Sequence, residues 1–273
     1  MKLNKLGVLF SGAILAASLV ACGGQQQTQS TATNTATDGA AATSYTIATD
    51  TAFAPFEYAE ADGTYVGIDI DILDAVAKDQ GFEYTLNPVG FDAALQNVQA
   101  GQADGVIAGM SITDERKEVF DFSEPYYDST VCCAVKADGD VKSLDDLKDK
   151  NVAVKNGTMS QAWAQSMADQ YGFKMTTFDS SDVMYQDVEA GNSVACFEDT
   201  PVMSYAISTG SVKLNIISEA DAKSEFATPY GFAVNKGANA ELLKKFNDGL
   251  ANIKSNGTYQ KIVDKYLKDS AKE

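Results

Sequence analysis

The chain has 273 residues, of which 45% are hydrophobic, and carries 21 lysine and arginine side chains against 38 aspartate and glutamate side chains. Its net charge of −17 disfavours partners such as nucleic acid and anionic lipid. Because histidine is absent, histidine-dependent hydrolases and histidine-ligated metal sites are excluded. The hydrophobic content can fill one or two cores in a chain of this length.

The first residues have the pattern of a secretion signal. Two lysines precede an apolar stretch over residues 6–20, which is too short for a comfortable transmembrane span. The run Leu19-Val20-Ala21-Cys22 resembles a bacterial lipoprotein box. We therefore expect residues 1–21 to be a signal peptide and Cys22 to be the lipidated residue, with an ordinary leader and an incidental cysteine as the alternative.

Residues 22–43 are the next segment, and after Cys22 they are almost entirely Gln, Thr, Ala, Ser and Gly. Such a composition cannot bury enough apolar surface to fold. We expect it to be a flexible tether between a lipid anchor and a globular body that begins near Ser44.

The body alternates strand and helix patterns. In chain order they predict strand 45–48, helix 69–80, helix 91–100, strand 104–108, strand 131–136, a helix from 143, strand 152–155, helix 158–171, strand 174–178, strand 194–197, a helix after 199, strand 231–234, and helices 238–255 and 258–267. This alternation favours an α/β protein with parallel sheets covered by helices. The pattern restarts after residue 131, which indicates two similar halves with a cleft between them.

Three cysteines lie in the body: Cys132, Cys133 and Cys196. The first two are neighbours in a predicted strand and should point to opposite faces of a sheet. We interpret all three as small buried hydrophobes, with a disulfide involving Cys196 as the alternative. Their spacing does not match a metal site, and we expect neither a metal nor a cofactor.

Arg116 is the only arginine in the chain. An arginine binds a carboxylate through two parallel hydrogen bonds, which a lysine cannot copy. Arg116 follows a predicted strand end and the run Gly109-Met110-Ser111, whose small residues allow backbone N–H groups to approach an anion. A dedicated carboxylate clamp is one interpretation, and an exposed or salt-bridged arginine is the other.

Acidic and basic side chains follow other predicted strand ends, where α/β proteins bind their ligands. Asp50 follows the first strand, and Lys155 comes at the start of a later helix. Glu198 and Asp199 offer acids where a cation would be held. A carboxylate receptor in one half and an ammonium receptor in the other would both be satisfied by a zwitterionic amino acid, which would favour closure of the cleft.

Five ordered motifs carry a resemblance to a known family. They are the stretch 48–71 with Gly67-Ile68-Asp69-Ile70-Asp71, the stretch 108–116, Phe120-Asp121-Phe122-Ser123-Glu124-Pro125-Tyr126-Tyr127, Asp199-Thr200-Pro201 and Asn256-Gly257-Thr258-Tyr259. Over residues 44–267 the chain resembles the polar amino-acid family of ABC-transporter solute-binding proteins, which is family 3 of the bacterial extracellular solute-binding proteins. It is most similar to glutamine-binding proteins.

The resemblance implies a two-lobed, periplasmic-binding-protein-like fold of type II, with a hinge and an interlobe cleft. The hinge would consist of two crossing segments near residues 126–130 and 227–230. Lobe 1 would contain residues 44–127 and 230–273, and lobe 2 would contain residues 128–229.

Recognition of the backbone groups of an amino acid is the first role that the resemblance assigns. It implies that Arg116 clamps the α-carboxylate, helped by Ser111 and by the backbone at Gly109, and that Ala108 is also a ligand-binding residue. Asp199 would receive the α-ammonium group.

Recognition of the ligand side chain is the second role. The resemblance implies that Phe53 and Phe91 hold it between aromatic faces, with ordinary core packing as the alternative. Asp50 and Lys155 would address its amide.

Two positions depart from the pattern of glutamine-binding proteins. Met159 replaces a glycine at the start of the second lobe's helix, where it and Thr158 would offer groups to the ligand. Glu198 stands where enteric glutamine-binding proteins have histidine. We include Glu198 among the ligand-binding residues, where it would favour a side chain that donates hydrogen bonds, and a solvated carboxylate is the alternative.

The function implied is that of a lipid-anchored extracytoplasmic binding protein rather than an enzyme. It would capture a polar L-amino acid, glutamine first, by interlobe closure and deliver it to an ABC permease. We expect a monomer that does not bind nucleic acid. The alternatives are a ligand-sensing domain and a secreted enzyme on the same fold, such as one resembling cyclohexadienyl dehydratase, in which Lys155, Glu198 and Asp50 would act as acid and base.

Overall fold

The structure is a computed structural model that describes residues 43–268, so the predicted signal peptide, Cys22 and nearly all of the tether lie outside the described part. The strands, in chain order, are β1 (Ser44–Thr49), β2 (Ala52–Phe53), β3 (Glu57–Ala59), β4 (Tyr65–Val66), β5 (Glu83–Pro88), β6 (Gly105–Val106), β7 (Phe120–Phe122), β8 (Tyr127–Asp128), β9 (Val131–Lys136), β10 (Asn151–Lys155), β11 (Lys174–Phe178), β12 (Ala195–Asp199), β13 (Leu214–Glu219), β14 (Pro229–Tyr230) and β15 (Ala233–Asn235). The helices are α1 (Ile68–Gln80), α2 (Phe91–Gln99), α3 (Asp114–Lys117), α4 (Met159–Tyr171), α5 (Ser181–Glu189), α6 (Thr200–Ser208), α7 (Ala240–Ser255) and α8 (Thr258–Leu267).

Two five-stranded sheets form the centres of the two lobes, with strand orders β5-β1-β6-β15-β7 and β11-β10-β12-β9-β13. The first three strands of each sheet are parallel, whereas β15 and β9 run antiparallel to both of their neighbours. The prediction of parallel sheets is therefore wrong for one strand in each sheet. Both reversed strands come directly after a crossing between the lobes, so each enters its sheet from the opposite end.

The crossings between the lobes form a two-stranded antiparallel ribbon. In it β8 pairs with β14, with Tyr127 opposite Tyr230 and Asp128 opposite Pro229. These strands lie in the two segments that the resemblance assigns to the hinge. A two-stranded ribbon has few contacts that resist bending, so it can change the angle between the lobes while their cores stay intact.

Apolar side chains fill both faces of each sheet. On the second sheet, Cys133 lies among the residues of one face, and Cys132 and Cys196 lie among those of the other. All three thiols are buried and free, which agrees with their interpretation as small hydrophobes. Burial raises the pKa of each thiol, so they remain protonated at neutral pH.

Some local elements differ from the sequence predictions. The helix expected from Ser143 is a single 3-10 turn over Leu144–Leu147, although Ser143 and Asp146 form a capping box. The turn ends at Lys148, whose backbone leaves the helical region with ψ of 131°, and Asp149 follows with a positive φ of 60°. The sequence analysis also missed α5 and β13, which lie on the second lobe and are short enough for their periodicity to be ambiguous.

Among residues 43–268, no helix combines the length and the apolar character that a membrane crossing requires.

Candidate ligand-binding site

A small cavity lies between the two sheets. Its wall contains every predicted ligand-binding residue except Glu198, namely Asp50, Phe53, Phe91, Ala108, Gly109, Ser111, Arg116, Lys155, Thr158, Met159 and Asp199. The residues that the sequence analysis grouped into one site are up to 149 positions apart in the chain, and they line one cavity in the structure. Their convergence follows from strand order, because β1, β6, β10 and β12 all direct their carboxyl ends toward the cleft.

The Arg116 guanidinium reaches across the cleft. Its Nη1 donates to the carbonyl of Ser111 at 2.8 Å, and its Nη2 donates to the carbonyl of Gly157, on the loop after β10, at 2.9 Å. Thr113 fixes the start of α3 by accepting the Arg116 N–H at 3.1 Å. A guanidinium has five N–H groups, so these two carbonyl contacts leave donors for a carboxylate.

The charge of the half-buried Arg116 is retained. Burial lowers the pKa of the guanidinium to about 10, against the opposing effect of Asp199. The group is therefore cationic at neutral pH and can attract an anion into the cavity. Its Cζ atom also lies 5.3 Å from the ring centroid of Phe91, within the range of a cation–π contact.

Asp199 ends β12 and supplies the acidic group on the opposite wall. Its Oδ2 accepts a hydrogen bond from the hydroxyl of Tyr230, which in turn accepts one from Ser129 at 3.0 Å. Burial, and then the nearby Glu198 carboxylate, raise the pKa of Asp199 to about 7. A cationic ligand group would favour the ionised form of Asp199, so this carboxyl group is suited to an ammonium ion.

Lys155 and Asp50 form a buried ion pair between the two lobes. Burial lowers the pKa of Lys155, but the carboxylates of Asp50 and Glu198 outweigh it and raise the pKa above its usual value. The Lys155 ammonium lies 4.8 Å from the ring centroid of Phe53 and 5.9 Å from that of Phe91. The aromatic faces that the resemblance assigns to the ligand side chain are thus approached by Lys155 and Arg116 in this structure.

Thr158 caps the helix that opens the second lobe's side of the cavity. Its Oγ1 accepts the N–H of Gln161 at 3.1 Å and donates to the carbonyl of Lys155 at 2.8 Å. Met159 is the first residue of α4 and also lines the cavity. This arrangement fixes the end of β10, which carries Lys155, and the following loop, which carries the Gly157 carbonyl bound by Arg116.

Gly109 corrects one detail of the expected carboxylate site. Its N–H donates to Asp69 Oδ2 at 2.8 Å and is therefore committed within the first lobe. The carbonyl oxygen is the polar group that remains for a ligand at this position. Glycine is required here because φ is +51° and a Cβ would lie 2.4 Å from the ring of Phe53.

Glu198 is the predicted site residue that the cavity wall does not contain. It is fully buried, and its carboxylate accepts hydrogen bonds from Ser181 at 2.7 Å, Tyr185 at 2.8 Å and the N–H of Asp199 at 2.9 Å. The alternative of a solvated carboxylate is therefore wrong, and in this structure the carboxylate of Glu198 is held away from the cavity. Adjacent strand residues point to opposite faces, so Asp199 faces the cavity while Glu198 faces α5.

Comparison with known proteins identifies the family. The family model for bacterial extracellular solute-binding proteins, family 3, matches residues 45–269. The chain belongs to this family. It is 34% identical over 216 residues to the ABC transporter arginine-binding protein 1 of Escherichia coli (strain K12), and the match covers 79% of this chain and 87% of that protein.

Two solved structures show the same fold in different states. One is an ancestral arginine-binding protein bound to glutamine, with 37% identity and a TM-score of 0.74, covering 82% of this chain and 97% of that one. The other is substrate-binding domain 2 of Lactococcus lactis GlnP in an open conformation, with 45% identity and a TM-score of 0.57, covering 82% and 95%. The structure of this family member is thus more similar to the ligand-bound protein, despite the lower identity.

Direct contacts across the cleft agree with a closed arrangement. Arg116 joins the first lobe to Gly157 of the second, and Asp50 joins it to Lys155. In this family member, the lobes therefore meet through the same charged side chains that line the cavity.

Sequence reasoning missed the partners that hold these side chains. Tyr230 donates to Asp199, and Asp69 accepts from both Gly109 and the hydroxyl of Tyr126 at 2.8 Å. Asp69 belongs to a motif that carries the family resemblance, which is the signal that could have marked it. For Tyr230, the only feature that could have marked it as a partner of a site residue was its position in the second crossing segment.

Proposed function

We propose that the chain captures a polar L-amino acid by closure of its two lobes and delivers it to an ABC permease. The supporting observation is that Arg116, from the first lobe, and Asp199, from the second, line the same small cavity. A zwitterion contacts both charges only when the lobes are closed. It would therefore bind the closed form more tightly than the open form, and this difference in affinity would drive closure. The arginine-binding role of the Escherichia coli relative supports amino-acid capture.

Glutamine is the ligand that we propose first. Asp50 and Lys155 neutralise each other, so a neutral side chain adds no unpaired charge to their buried surroundings. A carboxamide also offers donors to Asp50 and an acceptor to Lys155. An arginine side chain would supply only donors, leaving Lys155 without an acceptor from the ligand.

Calorimetric titration of the purified protein with a panel of L-amino acids tests this function. We expect heat of binding with polar amino acids and the tightest binding with L-glutamine. A rise in melting temperature on adding the same ligands provides an independent measurement. Heat from none of them would contradict amino-acid capture, whereas tighter binding of arginine would contradict only the choice of glutamine.

The pH dependence of binding should report the ionisation of Asp199. Because the pKa of Asp199 is raised to about 7, the ligand-free site holds a proton there at lower pH and must release it to pair with an ammonium ion. Affinity for L-glutamine should therefore rise with pH, by up to about tenfold per unit below pH 7, and level off above it. Titrations of wild type and Asp199→Asn across this range provide the measurement. An equally steep profile in the variant would show that another group is responsible.

Cys22 is proposed as the lipidated residue that anchors the protein outside the cell. It lies outside the described residues, and its support is the lipoprotein-like sequence around it. Replacement of Cys22 by serine should abolish incorporation of labelled palmitate and shift the protein from the membrane fraction to the medium. Unchanged fractionation would show that the cysteine is incidental.

An enzymatic activity has less support from the site geometry. Lys155 and Asp50 are paired with each other, and Glu198 is held by Ser181 and Tyr185 away from the cavity. The raised pKa of Lys155 also disfavours its action as a general base. Incubation with prephenate-like compounds should yield no product.

A further inference from the structure

Glu57 lies directly behind the wall of the cavity. It is fully buried in β3, where its cross-strand partner is Phe53, which lines the cavity. Helix α1 begins against this strand, because the N–H of Asp69 donates to the carbonyl of Phe56 at 2.9 Å. The fully buried side chain of Asp69 therefore approaches Glu57 from the helix.

Only one of the four carboxyl oxygens of Glu57 and Asp69 accepts hydrogen bonds from other groups among the described residues. Asp69 Oδ2 accepts from Gly109 and Tyr126, each at 2.8 Å. In residues 43–268, no other group donates to Asp69 Oδ1 or to either carboxyl oxygen of Glu57, and all three atoms are buried. The two carboxyl groups contact each other instead. Two ionised carboxylates repel, whereas one shared proton converts the contact into a strong hydrogen bond.

The surroundings decide which of the two groups carries the proton. Asp69 receives two donated hydrogen bonds and lies in the first turn of α1, where the helix dipole favours negative charge. Glu57 has neither advantage. The proton is therefore best placed on Glu57.

We propose that Glu57 is a protonated carboxylic acid in the folded protein, and that it donates a hydrogen bond to Asp69 Oδ1 and so positions the Gly109 wall of the ligand cavity. Asp69 then holds Gly109 through its N–H and Tyr126 through its hydroxyl, just before the first crossing strand. Glu57 is thus a positioning residue that acts on the ligand through Asp69. This role in binding rests on the proposed function, whereas the protonation does not.

Other ionisable groups near the pair support the same assignment. Burial, then Asp69 and Asp50, raise the pKa of Glu57 well above its usual value, and Lys155 opposes them. Burial raises the pKa of Asp69 to about 6 against the hydrogen bonds that it accepts. The ionisable groups that face the pair are Asp50, Tyr65, Tyr126, Lys155 and Tyr259. Lys155 is already paired with Asp50, so it does not stabilise an ionised Glu57 as a free cation would.

Unfolding of the ligand-free full-length protein at different pH values tests the proposal. An unfolded Glu57 loses its proton near pH 4.3, whereas the folded one keeps it, so folded stability must fall as pH rises above that value. Glu57→Gln supplies an N–H donor that does not titrate. From about pH 6 to about pH 8, the unfolding equilibrium constant of the wild type should rise about tenfold per pH unit relative to that of the variant.

Glu60→Gln is the matched control, because Glu60 is exposed in the same region of the chain. The ratio of the wild-type unfolding equilibrium constant to that of Glu60→Gln should not depend on pH in this range. Infrared difference spectroscopy of the wild type at neutral pH should show a buried protonated carboxyl group that is absent from Glu57→Gln. A pH-independent ratio for Glu57→Gln, or a wild type without that infrared signal, would overturn the proposal.

Ligand titration tests the positioning role separately. Glu57→Gln should bind the preferred amino acid within about threefold of wild type, whereas Glu57→Leu, which cannot donate to Asp69, should bind at least about tenfold more weakly. Equal affinity in both variants would overturn the positioning role. If the wild type itself bound no amino acid, the proposed function would fail while the unfolding and infrared results still decided the protonation.

Discussion

Replacement of Arg116 by alanine is expected to weaken amino-acid binding by at least about 2 kcal/mol, which is a roughly 30-fold increase in Kd. The loss arises because the ligand carboxylate would enter a buried site without a cationic partner. The carbonyls of Ser111 and Gly157 would also lose donors at 2.8 and 2.9 Å. Calorimetric titration with the preferred amino acid measures the change.

Two further variants separate the geometry of Arg116 from its charge. Arg116→Lys keeps the charge but cannot form two parallel hydrogen bonds, so its affinity should lie between those of wild type and Arg116→Ala. Lys117→Ala removes the adjacent exposed cation, which pairs with Asp114 at 3.0 Å, and should leave affinity unchanged. Nearly wild-type affinity of Arg116→Ala would instead assign the arginine to interlobe contact alone.

The location of the site could be predicted because it depends on strand ends and on rare residue types. Arg116 is unique in the chain, and Lys155 and Asp199 each come at the end of a strand that the sequence pattern marks. The family resemblance added Phe53 and Phe91, which composition alone would have placed in a core. Within each lobe the parallel strand ends converge at one edge of the sheet, and residues from both edges line the same cavity, so sequence position was enough to place these residues at the site.

Contacts that depend on tertiary packing could not be predicted in the same way. The orientation of Glu198 depends on Ser181 and Tyr185 in α5, a helix that the sequence analysis missed. The partnership of Tyr230 with Asp199 depends on how two distant segments meet at the crossing ribbon. Neither relation has a periodicity or a spacing along the chain, because each is a consequence of tertiary packing.

The direction of the reversed strands β9 and β15 could not be predicted from the sequence either. Sequence patterns give the bounds of β9 and mark an apolar strand that overlaps β15, but they do not give the direction in which the chain enters the sheet. That direction follows from the crossings, which connect one sheet to the other before each of these strands begins. The hinge and the reversed strands are therefore one topological feature of the fold.

The ion pair of Lys155 and Asp50 should contribute to closure more than to folding. Lys155→Met would leave the Asp50 carboxylate buried and unpaired in the closed form, where removal of one partner costs about 3 to 5 kcal/mol. The pair spans the two lobes, so opening the cleft exposes Asp50 to water and relieves this cost. We therefore expect amino-acid affinity to fall by about 3 kcal/mol, while the unfolding free energy of the ligand-free protein changes much less.

A double-mutant cycle with Asp50→Asn distinguishes loss of the pair from loss of a ligand contact. If the unpaired charge causes the defect, Asp50→Asn combined with Lys155→Met should bind more tightly than Lys155→Met alone. If Lys155 acts mainly by contacting the ligand, adding Asp50→Asn to Lys155→Met should not restore any affinity. Lys244→Met, which removes the exposed partner of Asp248, is the control and should alter neither affinity nor closure. Recovery in the double variant would mean that the two lobes close on a pair of mutually neutralised charges, which is also the physical reason for expecting a neutral ligand side chain.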